Sequence, residues 1–171
     1  MPFQIRAVNS LNSQQIAELS QVLIACVEAG ASVGFMLPLT VAKAQAYWQT
    51  VASSLQQGER LVFLAESDSG EIVGSVQIVL AQPENQPHRG DLCKMLVAPK
   101  ARRQGLAAEL LAAAEVGVQA QGKTLLVLDT ANPEAERVYE RGDWQRCGLI
   151  PDYALWPAGG LCATMFFYKK L

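Results

Sequence analysis

The chain has 171 residues, of which 50% are hydrophobic and 18% are charged, and this composition is typical of a globular protein rather than of a disordered one. We therefore expect a single domain over residues 1–171. The formal net charge of -2 and the pI of about 5.4 provide no general cationic field for a nucleic-acid backbone or an acidic membrane surface, so neither is an expected partner.

Targeting segments and metal-ligand spacings are both missing. The start MPFQIRAVNS has neither the charged nor the apolar region of a secretory signal, and no stretch approaches the roughly 18 apolar residues of a membrane span, so a cytoplasmic protein is expected. The single histidine, His88, lies in a polar loop and is expected to be solvated. We expect no metal and four buried free thiols, since no C-x-x-C pair occurs among Cys26, Cys93, Cys147 and Cys162.

The first part of the chain predicts one strand and two helices. Apolar and polar residues alternate over Phe3–Asn9, as in a half-buried strand. Asn12 or Ser13 can then cap a helix that Gly30 ends. After the loop GASVGFMLP, Thr40 can cap a second helix that ends near residue 57.

The middle of the chain predicts a hairpin and then a crossover. The strands LVFLAE and EIVGSVQIVL are joined by the turn SDSG, and a long polar loop leads to a further strand, DLCKMLV. An alanine-rich helix and the strand TLLVLDT follow, so that strand, helix and strand form a unit that requires parallel pairing. Asn132 and Pro133 predict the cap and first residue of a short helix through Tyr139, and the tail LCATMFFYKKL predicts a last strand.

The turn before the alanine-rich helix predicts an anion site. A helix that starts there presents unpaired N–H groups and the positive end of its dipole. Lys100, Arg102 and Arg103 add charge, Gly105 lets the backbone approach a ligand, and Ala107 keeps the first turn slim. Because the G-x-G-x-x-G and P-loop patterns are absent, a diphosphate of another kind is expected; a solvated basic turn is the alternative.

The order of strand, Arg102-x-x-Gly105-x-Ala107, helix, strand and Asn132-x-x-Ala135-x-x-x-Tyr139 resembles the GNAT superfamily of acyl-CoA-dependent N-acetyltransferases over nearly the whole chain. The resemblance implies an α/β fold with a central, mostly antiparallel sheet that splays at its parallel strand pair and is flanked by helices. It implies acetyl-CoA as the acetyl donor, with pantetheine along the strand and pyrophosphate at the turn. The cofactor-binding residues that it implies are Leu96, Val97, Arg102, Arg103, Gln104, Gly105, Leu106, Ala107 and Asn132.

Acetyl transfer from a thioester to an amine needs an oxyanion donor, an acid and a base. Backbone N–H groups at Leu96 or Val97 could polarise the carbonyl. Tyr139 occupies the family position for the acid, and Asp129 or Asp91 could serve as the base. Each residue also has a structural interpretation. Tyr139 could be a core residue, and Asp129 and Asp91 could be solvated at strand ends or cap turns. Asn132 could simply cap its helix.

The segments GASVGFM, KMLV and LDT resemble a member of the family that acetylates an amino-acid toxin. GASVGFM lies where the acceptor pocket of this fold is commonly lined, which implies substrate contacts from Ser32, Val33, Phe35 and Met36. An α-amine, with a pKa near 7.8, is neutral to roughly one part in ten at pH 7, so a carboxylate could deprotonate it.

The expected function is therefore acetylation of a small-molecule amine, an amino acid or an amino-acid-like toxin, by direct attack in a ternary complex. A non-catalytic acyl-CoA-binding module and a protein N-acetyltransferase are the alternatives. A homodimer remains open. One departure from the family pattern is the run YERGDW, which has Asp143 where glycine is usual and could alter the turn before Trp144.

Overall fold

The computed structural model describes residues 3–171. Its elements, in chain order, are β1 (Gln4–Val8), α1 (Ser13–Glu28), α2 (Val41–Gln56), β2 (Arg60–Glu66), β3 (Ile72–Val79), β4 (Arg89–Val97), a 3-10 turn (Pro99–Ala101), α3 (Leu106–Gln119), β5 (Leu125–Thr130), α4 (Pro133–Arg141), β6 (Gln145–Leu155) and β7 (Leu161–Lys170).

The first two helices start at the predicted polar caps. Asn12 Oδ1 accepts from the Gln15 N–H at 2.8 Å, while the Gln15 side chain accepts from the Asn12 N–H at 3.0 Å, which forms a capping box. Thr40 Oγ1 accepts from the Lys43 N–H at 3.2 Å. Of the two caps left open for α1, Asn12 is therefore the one used, and Ser13 is the first helical residue.

The strands form one seven-stranded sheet in the order β1-β2-β3-β4-β5-β7-β6, with every neighbouring pair antiparallel except β4 and β5. Seven successive residues of β3, Ile72–Ile78, are buried. Because neighbouring strand residues point to opposite faces, both faces of β3 are covered. Helices α1 and α3 both contact it. The predicted mixed α/β, mostly antiparallel fold is confirmed.

The parallel pair separates soon after it begins. Strands β4 and β5 pair only at Arg89, Gly90 and Asp91, opposite residues 125–127. Beyond these residues the open half of β4 continues to Val97 without a partner on its β5 side. On the other side, its register with β3 shifts between Ser75 and Gln77. This splay creates the gap in which the site lies.

The sequence prediction differs from the structure in two places. It did not include β6, whose Gly148 and Pro151 interrupt the alternation expected of a strand. It also placed all four cysteines in the interior, but Cys147 is exposed because it lies on this edge strand; Cys26 and Cys162 are buried, and Cys93 is partly buried. His88 is exposed, as expected. Within residues 3–171, no helix combines the length and apolar character needed to cross a membrane.

Candidate active site

The turn between β4 and α3 has the backbone geometry of an anion site. Arg103 and Gly105 both adopt left-handed conformations, with φ of 62° and 83°, and such turns point successive N–H groups into one concavity. Within residues 3–171, the N–H groups of positions 103–107 donate to no protein acceptor. A Cβ added at Gly105 would meet open space, so the concavity faces solvent. The turn can therefore hold an anion through main-chain donors alone.

The end of β4 directs backbone groups into the gap. The Ala98 N–H bonds to the Val73 carbonyl at 2.8 Å, so this pair is hydrogen-bonded across the antiparallel ladder. The backbone N–H and C=O groups of successive strand residues point to opposite sides of the strand. Those of Leu96 therefore also face β3, while those of Val97 face the unpaired side. The Val97 carbonyl there accepts from Arg102 Nε at 3.2 Å and from Cys26 Sγ at 3.4 Å. The Val97 N–H therefore points into the gap.

The gap and the turn form a cleft of about 390 Å³, a volume in the range of ligand pockets. It runs from the α3 turn along the open half of β4 to α4. Most of the predicted cofactor residues line it: Leu96, Val97, Arg102, Arg103, Gly105, Leu106, Ala107 and Asn132. Gln104 does not line the cleft, and its side-chain amide donates to the Lys100 carbonyl at 3.4 Å.

A second, smaller cavity of about 110 Å³ adjoins this cleft. The two share four lining residues, which therefore form a common wall: Ala31, Met95, Asn132 and Ala135. Of the residues predicted to contact the acceptor, Ser32 and Val33 line the small cavity. Phe35 and Met36 line neither cavity. Phe35 packs edge-on against Tyr47 at 5.3 Å between ring centroids, and Met36 is largely solvent-exposed.

Tyr139 is one of the residues that line the small cavity. Its ring is buried and packs against Trp144 and Phe167, with centroid separations of 5.8 and 5.7 Å. Burial raises the pKa of the Tyr139 phenol, and the negative charges of Asp129 and of an ionised Cys93 add to the rise. Its hydroxyl makes no hydrogen bond within residues 3–171. The phenol is therefore protonated and free to donate.

The two candidate carboxylates lie in different surroundings. Asp129, near the end of β5, lines the small cavity, and its Oδ2 accepts from the Thr164 hydroxyl at 3.0 Å. Asp91 lies in the half of β4 that is still paired with β5, where its carboxylate is bound by the Arg89 guanidinium. Asp91 lines neither cavity. The structure thus brings Asp129, and not Asp91, together with Tyr139.

Sequence reasoning missed Lys94, which also lines the small cavity. The available signal was a lysine in the middle of DLCKMLV, a strand whose other central residues are apolar or weakly polar. It also missed the contribution of Cys26 to the larger cleft, which only the packing of α1 against β4 reveals. Asp143, the departure from the family pattern, adopts φ of 62°, the conformation that favours glycine.

A splayed sheet that opens into two adjoining cavities is suited to a transferase that must hold a donor and an acceptor together. The family model of the acetyltransferase (GNAT) family matches residues 33–143. A protein described as an uncharacterized N-acetyltransferase in the hisH-hisA intergenic region of Azospirillum brasilense is 30% identical over 167 residues, which cover 91% of this chain and 94% of that protein. The chain therefore belongs to the GNAT family of acetyltransferases.

Solved structures show the same fold at low identity. An N-acetyltransferase from Staphylococcus aureus Mu50 has a TM-score of 0.81 and 16% identity, covering 99% of each chain. A ribosomal-protein-alanine N-acetyltransferase from Brucella melitensis has a TM-score of 0.80 and 20% identity over 98% of this chain and 99% of that one. A phosphinothricin acetyltransferase from Sinorhizobium meliloti, in complex with AcCoA, has a TM-score of 0.81 and 15% identity over 100% of this chain and 89% of that one.

Proposed function

We propose that this protein transfers an acetyl group from acetyl-CoA to the amine of a small molecule, an amino acid or an amino-acid-like toxin, in a ternary complex. The observation that carries the proposal is the shared wall of the two cavities, which would bring a donor in one and an acceptor in the other into contact. Binding both at once converts a bimolecular reaction into an effectively unimolecular one.

The larger cleft fits the donor. The free N–H groups of the turn and the guanidinium groups of Arg102 and Arg103 would hold the pyrophosphate, and the unpaired edge of β4 would bind pantetheine. The AcCoA complex of the structurally similar phosphinothricin acetyltransferase supports this choice of donor. Within residues 3–171, no group of metal-ligating side chains competes for the site.

Acetyl-CoA supplies an activated thioester, and this chain supplies the groups that act on it. The Val97 N–H, which points into the gap, would donate to the carbonyl oxygen as negative charge develops there. Asp129 would accept the proton of the incoming amine, directly or through water. Tyr139 would donate a proton to the leaving sulfur, whose basicity increases in a dry cleft because burial disfavours the thiolate.

The size of the small cavity favours a small acceptor. Its volume of about 110 Å³ is well below the roughly 300 Å³ of the smallest pockets for drug-sized ligands, so an acceptor with few heavy atoms fits. The segments GASVGFM, KMLV and LDT resemble the tabtoxin resistance protein, a GNAT enzyme that acetylates a β-lactam amino-acid toxin. That likeness supports an amino-acid-like acceptor, although Phe35 and Met36 do not line the cavity.

A screen of acetyl-CoA consumption tests the proposal. The purified protein is assayed with free amino acids, β-lactam amino acids, simple amines and peptides with free N-termini. We expect turnover with at least one free amino acid or amino-acid analogue and little with peptides. Turnover with peptides alone would favour a protein acetyltransferase, whereas tight acetyl-CoA binding without any turnover would favour a non-catalytic acyl-CoA-binding module.

A further inference from the structure

Lys94 occupies an unusual position in β4. It lies between Cys93, which pairs with Gln77, and Leu96, which pairs with Ser75, where the register with β3 shifts. Its backbone adopts φ of 50°, a left-handed conformation that non-glycine residues rarely adopt. The bulge changes the direction of the strand at Lys94, which is one of the residues that line the small cavity.

The Lys94 ammonium has no anionic partner in the protein. Among residues 3–171 it takes part in no salt bridge, and its Nζ lies 5.7 Å from the centroid of the Tyr47 ring. Burial lowers the pKa of Lys94, and the nearby Arg60 charge lowers it further, whereas Cys93 and Asp129 act in the opposite direction. A partly desolvated cation without a partner is costly, so its presence calls for a ligand that neutralises it.

A second cation reinforces this local excess of positive charge. The guanidinium of Arg60 donates to Gln77 Oε1 at 2.5 Å and lies 3.8 Å from Cys93 Sγ, and it too forms no salt bridge within residues 3–171. Its Nε atom is buried without a partner. Lys94 and Arg60, on the strands that flank β3, are therefore two cations without a salt bridge among residues 3–171, and of the two Lys94 lines the small cavity.

The carboxylate in the same cavity belongs to Asp129, which forms no ion pair with Lys94. The cavity thus presents one cation and one anion that are separated from each other. This arrangement is complementary to a zwitterion, in which an amino group and a carboxylate are carried on one small molecule. It would distinguish a free amino acid from a simple amine, which carries no carboxylate for Lys94.

We propose that Lys94 binds the carboxylate of an α-amino-acid acceptor while Asp129 receives its amine. This inference rests on the proposed function and adds to it the residue that selects the acceptor class. Lys94 is then a binding residue, and the bound carboxylate provides the ion pair that the free protein lacks.

The test compares matched substrates and matched variants. Each free α-amino acid of a panel is assayed beside its α-carboxamide, with the wild type, Lys94→Met and Lys94→Arg. The control is Lys43→Met, which replaces an exposed lysine outside both cavities. Methionine is as unbranched as lysine and removes a desolvated charge, so thermal melting is expected to show a folded Lys94→Met variant.

We expect the wild type to prefer the amino acid over its carboxamide in kcat/KM. Lys94→Met should lower kcat/KM for the amino acid by about 10- to 100-fold, since hydrogen bonds to charged groups contribute about 1.5–3 kcal/mol, and should leave the carboxamide nearly unchanged. Lys94→Arg should retain part of the preference because it retains the cation, and Lys43→Met should behave as the wild type.

Three outcomes would overturn the assignment. Equal losses for both substrates would give Lys94 a structural role only. A wild type that accepts amino acid and carboxamide equally would remove carboxylate recognition while leaving amino-acid acetylation intact. A wild type that acetylates neither substrate, while still binding acetyl-CoA, would refute the proposed function and this inference together.

Discussion

At the scale of single residues, the buried phenol of Tyr139 is the proposed acid. Burial raises the pKa of this phenol, which keeps it protonated near pH 7 but also makes it a weaker acid, so proton donation depends on a leaving sulfur whose basicity rises in the same dry cleft. Its ring is held by packing against Trp144 and Phe167, and Tyr139 is one of the residues that line the small cavity. Fixed orientation is what proton donation to a leaving group requires.

Replacing Tyr139 by phenylalanine should reduce kcat by about 100-fold, the lower range of general acid catalysis. The ring packing is kept and only a hydroxyl without a protein partner is lost, so the melting temperature should change little. Steady-state rates with a good acceptor and calorimetric acetyl-CoA affinity measure the effect. Tyr153→Phe, at an exposed tyrosine on β6, is the control. Near wild-type kcat in a folded, donor-binding Tyr139→Phe variant would exclude the proton transfer.

At the scale of elements, the turn that opens α3 should bind a dianion through its backbone. Two substitutions of Gly105, by asparagine and by aspartate, test this because they strain the backbone to the same extent. Asparagine and aspartate both tolerate the left-handed conformation at this position, and a side chain there meets open space. They differ by one negative charge beside the proposed pyrophosphate. Gly105→Asp should therefore weaken acetyl-CoA binding by at least about tenfold relative to Gly105→Asn, because like charges at about 4 Å repel by several kcal/mol.

Isothermal titration at low and moderate ionic strength measures both affinities. The difference between the aspartate and asparagine variants should shrink as salt is added, because screening weakens the repulsion at this exposed turn. Equal affinities for the two variants would place the pyrophosphate elsewhere.

Helix α3 also contains a glycine that packing requires. A Cβ at Gly117 would overlap the Cζ atom of Phe63 and lie 3.1 Å from its Cε1 atom, and Phe63 is itself buried in β2. Gly117→Ala should destabilise the protein by about 1–2 kcal/mol net, because so close an overlap costs up to about 3 kcal/mol in overpacking while alanine gains roughly 1 kcal/mol in helix propensity. Urea unfolding of this variant beside Val116→Ala, at the exposed neighbouring position, measures the difference; equal stabilities would contradict it.

A helix or strand could be predicted from the sequence where its caps and the spacing of its apolar residues are regular. Helices α1 and α2 could be placed because Asn12 and Thr40 are strong caps next to regularly spaced apolar residues. Strand β6 could not, because it is exposed along almost its whole length and contains Gly148 and Pro151. An edge strand with so few buried positions carries no hydrophobic period that a sequence reader could detect.

The site was predictable to a different extent. The anion-binding turn could be inferred because its glycine and basic residues are contiguous in sequence. The small cavity could not, because it combines side chains from β4, β5 and α4 with the loop after α1. The bulge at Lys94 depends on a register shift with β3 that no local pattern indicates, and Asp91 and Asp129 could be told apart only once the extent of β4–β5 pairing was known.

At the scale of the whole molecule, the end of the sheet formed by β6 and β7 carries several exposed apolar side chains. The exposed side chains there include Leu149, Ile150, Tyr153, Leu155 and Leu161. When two copies of a chain associate about a twofold axis, the same surface is buried on both copies. Twofold dimers of this kind are the commonest assemblies of identical chains. Pro151 and the register shifts of β6 oppose extension of the sheet, so contact through side chains is the expected mode.

We therefore expect a homodimer in solution that a charge in this patch disrupts. Leu149→Glu should yield a monomer by light scattering after size-exclusion chromatography, because an unpaired carboxylate would have to be buried in the contact. Val116→Glu, at an equally exposed apolar position on α3, should remain dimeric. A monomeric wild type at micromolar concentration would contradict the expectation.

The wall that the two cavities share should also limit the length of the acyl group that the donor can transfer. The acetyl group would sit at the boundary formed by Met95, Asn132 and Ala135, and each further methylene of a longer acyl chain would extend into the 110 Å³ that the acceptor needs. Butyryl-CoA should therefore bind about as well as acetyl-CoA yet transfer its acyl group poorly, and it should raise the acceptor KM. Enlarging the space with Met95→Ala should relieve that competition and increase the rate of butyryl transfer relative to acetyl transfer.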